Sequence, residues 1–287
     1  MNKPAEFWRA AENGSVHCEL CSHNCKIPEN ASGICGVREN RGGDLFAAGY
    51  GAVSAVALDP IEKKPLYMFR PGKKVLSVGG FSCNLRCPFC QNCDISIEHG
   101  GAWRDAKRLL PEDVARLAAQ TVPEGNIGAA YTYNEPLIGY EFVRDCAELI
   151  HEAGLCNVVV TNGYINRVPI ERLLPVIDAM NIDLKGFTGG FYKKLGGGLD
   201  EVKETVRLAH GICHVEVTTL VIPGENDADI DELARWLASI DPEIPLHLTR
   251  FFPRYKYSDK EPTPRETVYR LSEIAKGQLR NVFCGNL

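Results

Sequence analysis

The chain has 287 residues, 45% hydrophobic and 24% charged, which is enough apolar material for a real core and excludes a wholly disordered or collagen-like chain. Its 32 Lys and Arg against 37 Asp and Glu leave a net charge of −5, so the chain as a whole carries no basic bias toward nucleic acid or anionic lipid. The opening residues have no apolar signal segment and no later stretch approaches the roughly 20 apolar residues of a membrane span, so a cytoplasmic protein without membrane contact is expected.

The 12 cysteines fall into two clusters and a scatter, and in a reducing compartment clustered thiols read as metal ligands before disulfides. The first cluster is Cys18, Cys21, Cys25 and Cys35, a C-x2-C-x3-C run followed across nine intervening residues by a fourth thiol. Four thiolates suit a closed tetrahedral zinc site or an iron–sulfur cluster, and spacing does not choose between them. Four unmetallated buried thiols are the plain alternative, and His17 or His23 could replace one sulfur. Residues 42–58 are rich in Gly and Ala and are expected to form a hairpin. Residues 1–73 as a whole lack a regular strand–helix rhythm, so they are expected to be a small Cys-rich metal-binding accessory domain, which a metal would staple together.

From residue 74 to 287 short β-rich runs alternate with helical patterns, as in a parallel sheet with crossover helices. Strands are predicted over 75–79, 127–133, 157–161, 180–185, 214–222 and 246–250. Helices are predicted over 111–121, 137–152, 168–177, 200–210 and 229–240, the first beginning with Pro and two acids as a helix N-terminus should. Six βα units are too few for the usual eight-stranded closure, so the α/β fold class expected is a partial, three-quarter (β/α)6 barrel. Alternation along the strands turns Asn181, Asp183 and Lys185 into the lumen, and likewise His247 and Thr249. A satisfied core histidine is the ordinary reading of His247 alone. A polar lumen is costly unless something polar binds in it. The scattered Cys146, Cys156, Cys213 and Cys284 read as packing residues.

Just past the first predicted barrel strand lies Cys83-Asn-Leu-Arg-Cys87-Pro-Phe-Cys90. Three thiolates on one loop can hold three irons of a [4Fe–4S] cluster and leave the fourth iron open to a small molecule. A zinc site would want a fourth ligand, which Cys93 could supply. C-x3-C-x2-C with an aromatic before its last Cys, at this place in such a barrel, resembles the radical S-adenosylmethionine (SAM) superfamily.

That resemblance implies the remaining site. Tyr133-Asn134-Glu135-Pro136 stands where relatives have Gly-Gly-Glu-Pro, the segment that holds the SAM amino group; Tyr-Asn replaces Gly-Gly here, and Glu135 keeps the carboxylate. Thr161-Asn162-Gly163 and Asp183-Leu-Lys185 resemble the corresponding segments of pyruvate formate-lyase activating enzymes, where the Asp-x-Lys pair lies near the SAM methionine moiety. Phe89 is then expected to shield the cluster near adenine, and His247 to contact adenine or ribose. A narrower resemblance spans nearly the whole chain. Cys18-Glu-Leu-Cys21-Ser-His-Asn-Cys25-Lys-Ile, Gly-Ile-Cys35-Gly-Val-Arg, Asp59-Pro-Ile-Glu-Lys-Lys-Pro-Leu-Tyr67, Cys90-Gln-Asn and Pro245-Leu-His-Leu-Thr-Arg-Phe-Phe-Pro253 together resemble the radical SAM enzymes of the AmmeMemoRadiSam system, a group related to pyruvate formate-lyase activating enzymes. Two departures stand out: the family pattern continues past Val282-Phe-Cys-Gly-Asn286 with a short Cys-containing tail where this chain stops at Leu287, and Cys93 is extra.

The implied function is reductive cleavage of SAM at a [4Fe–4S] cluster to a 5′-deoxyadenosyl radical, which abstracts hydrogen from a substrate the sequence does not identify: a small molecule, a peptide or RNA. The first Cys cluster is then zinc or a second iron–sulfur centre. Implied partners are an electron donor such as ferredoxin or flavodoxin, and Memo- or AMMECR-type proteins. The alternative enzymatic reading is a glycyl-radical enzyme activase; the non-enzymatic one is a zinc-stabilised binding module, which would have no need of a polar lumen. Residues 250–265 carry five basic and two acidic side chains among Phe251, Phe252, Tyr255 and Tyr257. That composition suits RNA or an anionic substrate, while a solvated loop over the barrel end is the plainer expectation.

Overall fold

The computed structural model describes residues 3–97 and 100–287, so the first two residues of the expected 1–73 unit lie outside the described residues. The chain opens with a three-stranded antiparallel sheet, β1 (Trp8–Ala10), β2 (Val16–Cys18) and β3 (Lys26–Ile27), followed by a two-stranded hairpin, β4 (Arg38–Arg41) and β5 (Asp44–Ala47). The hairpin expected over 42–58 therefore sits earlier. Gly42 and Gly43, both with positive φ, make its turn. Residues after it find a longer partner, since β6 (Ala55–Pro60) pairs antiparallel with β7 (Lys74–Gly79) from Ala55 against Gly79 to Pro60 against Lys74.

β7 begins the barrel. It continues through β8 (Asn126–Thr132), β9 (Cys156–Thr161), β10 (Ala179–Asp183), β11 (His214–Val221), β12 (Leu246–Arg250) and β13 (Val282–Gly285), neighbours in sequence being neighbours in the sheet and all parallel. The crossovers hold α2 (Pro111–Gln120), α3 (Tyr140–Glu152), α4 (Arg167–Leu173), the pair α5 (Gly189–Leu195) and α6 (Leu199–His210), α7 (Ile230–Ile240) and α8 (Arg265–Lys276); the short α1 (Cys93–Ser96) precedes α2. The six predicted strands and their crossovers stand, with β6 and β13 added at the two edges to make an eight-stranded open sheet. The predicted strand over 180–185 ends at Asp183, and the predicted helix over 168–177 ends at Leu173, because Pro175 cannot donate a helical hydrogen bond.

The helices are held by one apolar stripe each. On α7, Ile230, Leu233, Ala234 and Leu237 follow i, i+3, i+4, i+7 spacing and are essentially fully buried; each large side chain there contributes about 1.5–3 kcal/mol relative to exposure. Strand alternation does the rest. On β10, Met180 and Ile182 join the helix-side core, and Asn181 and Asp183 face the lumen. β8 and β9 approach so closely that a Cβ on Gly128 would lie 1.8 Å from the Cys156 carbonyl oxygen, so only glycine fits.

The lumen is shut at the N-terminal end of the strands by the segment after β6. Ile61 and Leu66, both fully buried, pack on side chains of four strands: Val75, Ala130, Val158 and Ala179. The N-terminal unit is fastened to the barrel wall by a buried ion pair, in which Arg38 Nη1 lies 2.9 and 3.0 Å from the two carboxylate oxygens of Glu141 on α3. No helix among the described residues is long and apolar enough to cross a membrane.

Candidate active site

The open end of the lumen and its walls form one cavity of about 560 Å³. Cys83, Cys87, Cys90 and Phe89 line it from the loop after β7, Glu135 and Thr161 from the ends of β8 and β9, and Asp183, Lys185, His247 and Thr249 from farther round the barrel. The sequence-predicted residues therefore converge on one space at the C-terminal ends of the strands, where such barrels place their chemistry.

The Cys loop is fixed by its neighbours. Asn134 Nδ2 donates to the carbonyls of Phe81 (3.0 Å) and Ser82 (3.1 Å), and Gly80 N–H donates to Asn134 Oδ1 at 2.9 Å. Asn162 Nδ2 donates to Asn84 Oδ1 at 2.9 Å and lies 3.5 Å from the Cys83 sulfur. Phe89 is buried and stacks on Phe191 with ring centroids 6.1 Å apart. Burial pushes the Cys87 thiol up to about 12 and raises those of Cys83 and Cys90, mutual repulsion among the sulfurs adding to it. Such thiols are poor free nucleophiles and need a cation to ionise. Lys185 supplies positive charge toward Cys87 and Cys90, and its Nζ pairs with Asp183 at 2.6 Å. Cys93 does not line the cavity; its sulfur faces Asp94. It is therefore no fourth ligand within the lumen.

Glu135 is buried, with Thr161 Oγ1 (2.7 Å) and Leu137 N–H (3.0 Å) donating to one oxygen and Asn162 N–H (2.7 Å) to the other. Desolvation outweighs these bonds and pushes its carboxyl up to about 7, Asp183 adding to the rise. Tyr133 has φ +72 and sends its ring down the lumen wall, where its hydroxyl donates to Asp59 Oδ2 at 2.5 Å. A Cβ on Gly79 would stand 2.6 Å from that ring, which is why β7 ends in glycine. The side chains of Tyr133 and Asn134 are thus engaged with the floor and the Cys loop.

His247 is buried and its Nε2 lies 2.6 Å from Glu216 Oε2. Glu216 also bonds His214 and accepts from the backbone N–H groups of Tyr67 and Met68. Burial works against its ionisation, but these four partners outweigh it and hold the carboxyl at about 2. Sequence reasoning missed Glu216, Asp59 and Lys64. Alternation along 214–222 did signal an inward Glu216; nothing local signalled that Lys64 Nζ, 2.9 Å from Asp59 Oδ2, is buried in the cavity wall.

The N-terminal thiols gather behind the Cys loop. Cys18 N–H donates to the Cys25 carbonyl at 2.9 Å, closing a knuckle between β2 and β3. Burial raises the thiols of Cys21, Cys25 and Cys35, with neighbouring sulfurs of the set adding to each. His23 Nε2 is directed at the Asn84 carbonyl (2.7 Å). Among the described residues no three His, Cys, Asp or Glu side chains stand as a formed metal cage, so both Cys sets are candidate ligand sets by donor chemistry and neighbourhood. Residues 250–265 run irregularly past the mouth, with Phe251 buried and Gln91 Nε2 donating to the Phe252 carbonyl at 3.1 Å.

Residues 78–237 match the family model described as the Radical SAM superfamily. An uncharacterised protein of Methanocaldococcus jannaschii is 40% identical over 99% of this chain and 85% of its own length. The pyruvate formate-lyase 1-activating enzyme of Escherichia coli K12 is 26% identical over 67% of this chain and 84% of its own. Among solved structures, Streptococcus suis SuiB bound to S-adenosylmethionine shares the fold with TM-score 0.55 at 16% identity, covering 72% of this chain and 48% of that one.

Proposed function

The chain belongs to the Radical SAM superfamily and is an enzyme homologous to glycyl-radical enzyme activases, and on that premise we propose that it abstracts hydrogen from a substrate other than a glycyl-radical enzyme. Membership of an enzyme superfamily removes the reading as a non-enzymatic zinc module. The observation that supports the SAM chemistry is the composition of the cavity: among the described residues three thiols line it, all from one loop, facing a buried carboxylate and an Asp–Lys pair.

That donor set fits a [4Fe–4S] cluster held by Cys83, Cys87 and Cys90 with one iron left for SAM. When bound, the pair supplies one-electron cleavage of the sulfonium to methionine and a 5′-deoxyadenosyl radical. The chain's own residues bind and orient. Glu135 has three of about four acceptor positions filled, leaving one for the SAM ammonium. Thr161 and Asn162 hold that carboxylate in place, and Asp183 with Lys185 addresses the amino acid end. Phe89 screens the sulfur side from water. Tyr133 and Asn134 serve SAM through the backbone they position, and His247, oriented by Glu216, presents its ring edge toward adenine or ribose. An electron donor of the ferredoxin or flavodoxin kind completes the system.

Residues 1–73 are proposed as a metal-binding accessory unit on the 74–287 barrel, with β6 the strap that joins them; Cys18, Cys21, Cys25 and Cys35 hold zinc or a second iron–sulfur centre. The segments 18–35, 59–67 and 245–253 support placing the chain in the AmmeMemoRadiSam group, with Memo- and AMMECR-type proteins as partners, and a cytoplasmic location goes with that placement. The activase relatives favour a second reading, in which the substrate is a glycyl-radical enzyme.

The test is anaerobic reconstitution. The Cys83→Ala/Cys87→Ala/Cys90→Ala variant should lose about four irons and all SAM cleavage, while reduced native protein should form 5′-deoxyadenosine slowly alone and faster with a fraction containing the substrate. Iron and cleavage both surviving the triple substitution would sink the assignment, and a stoichiometric glycyl radical on a partner protein would decide for the activase.

A further inference from the structure

The lumen wall below and beside the proposed SAM site holds groups that the site does not use. Above the plug of Ile61 and Leu66 the wall turns polar. Asn181 is fully buried; its Nδ2 donates to the Pro65 carbonyl at 2.8 Å, and its Oδ1 has no partner. On the next strand the Thr218 hydroxyl is also buried without a partner, between Asp183 and His247 in the register. Both side chains line the cavity. Lys64, 2% exposed, rises from the floor segment beside them with its Nζ 4.4 Å from the centre of the Tyr133 ring.

A buried polar group left unpaired costs about 1–3 kcal/mol, so two on adjacent strands facing one cavity point to a ligand. Its chemistry follows from what is already paired. Lys64 is matched by Asp59, and Glu216 by two histidines and two backbone N–H groups. A charged ligand would find no free counter-ion there. What remains is one acceptor on Asn181, one hydroxyl on Thr218, and ammonium protons on Lys64 beyond the one directed at Asp59.

We propose that this stretch of the lumen wall, from Lys64 and Asn181 up to Thr218, is a substrate subsite for a neutral carboxamide, whose N–H donates to Asn181 Oδ1 and whose carbonyl accepts from Thr218 and Lys64. It rests on the reading that SAM is held beside the Cys loop by Glu135, Asp183, Lys185 and His247, which leaves Asn181, Thr218 and Lys64 to the substrate.

The probe is N-acetylglycinamide, compared with acetate and ethylammonium, titrated into reconstituted anaerobic protein with and without SAM and followed by ligand-observed NMR. Saturable binding of the amide in preference to both ions is expected. Thr218→Val and Asn181→Leu should each weaken it by about tenfold, the worth of one hydrogen bond. Thr218→Val should also keep or raise the melting temperature, because it deletes a hydroxyl with no partner; it serves as the test should Asn181→Leu fold poorly. Preference for acetate, no saturable amide binding, or a Thr218→Val protein that melts several degrees lower with unchanged amide affinity would each overturn the subsite. SAM affinity read in the same samples separates the two readings: lost SAM binding in native protein counts against the Cys loop assignment, and retained SAM binding without amide binding counts against the amide subsite alone.

Discussion

The Ser82 hydroxyl donates a hydrogen bond to the carbonyl oxygen of Cys35, tying the last N-terminal cysteine to the residue immediately before Cys83. Further ties run the same way: His23 Nε2 lies 2.7 Å from the Asn84 carbonyl, and Arg86 reaches the Ile34 carbonyl at 2.5 Å. The two Cys sets therefore share one scaffold. Ser82 is buried, so Ser82→Ala leaves the Cys35 carbonyl without this donor and is expected to cost about 1–2 kcal/mol in urea unfolding. Unchanged stability would show that water replaces the hydroxyl.

The Arg38–Glu141 pair makes a larger prediction. Both side chains are about 1% exposed, and Arg38 Nη2 also donates to the Glu6 carbonyl at 2.5 Å. Arg38→Met removes one ion and strands the other, and should destabilise by about 3–5 kcal/mol. The double variant Arg38→Met/Glu141→Leu removes both charges and should recover most of that loss. Failure of the double variant to recover would mean that the bonds to residue 6, rather than the charge balance, carry the attachment.

These attachments were the part of the molecule hardest to read from the sequence. The central strands were legible because β10, β11 and β12 alternate inward polar with outward apolar residues, a signal contained in a few neighbours. Their ends were less so, since Asp183 and Lys185 look alike in pattern and only hydrogen bonding stops the strand between them. β13 is four residues with a glycine, α5 starts with two glycines, and β6 ends in proline; each is held by tertiary pairing that local propensity does not report. α8 is different, since its stripe of Val268, Leu271 and Ala275 follows helical spacing in the sequence itself. Within the site, Cys83, Cys87, Cys90 and Glu135 were legible as a motif, whereas Lys64 acquires meaning only through its burial beside Asp59 and Glu216 through partners such as Tyr67, 149 residues away.

Glu135 should leave a pH signature on the protein before any cluster is loaded. Burial lifts its carboxyl from an ordinary 4.5 to about 7 in the folded state. The folded protein then binds that proton more tightly than the unfolded chain. The associated stability is fully present below pH 4.5 and is lost as pH rises through 7, a change on the order of 3 kcal/mol. Glu135→Gln cannot titrate, so its unfolding free energy should be flatter than that of native protein between pH 5 and 7. Parallel pH profiles in urea melts of the two proteins would show that Glu135 is ionised throughout, held so by its three donors.

The N-terminal thiols should bind a metal independently of the Cys83 loop. Cys18 and Cys35 are buried and Cys21 and Cys25 are half-buried, and burial with neighbouring sulfurs raises the thiols of Cys21, Cys25 and Cys35, so that these ionise only beside a cation. In the Cys83→Ala/Cys87→Ala/Cys90→Ala protein, one metal centre per chain should therefore remain after desalting. Zinc alone, with no visible absorbance, would identify a structural staple. Iron with acid-labile sulfide would identify a second cluster, set directly behind the SAM cluster loop through Asn84. Substituting Cys18 and Cys35 in that background should release whichever metal is present and lower the melting temperature, because closure of the knuckle between β2 and β3 is then no longer coupled to metal binding. A metal-free triple variant with the same melting temperature would show that these four thiols are packing residues.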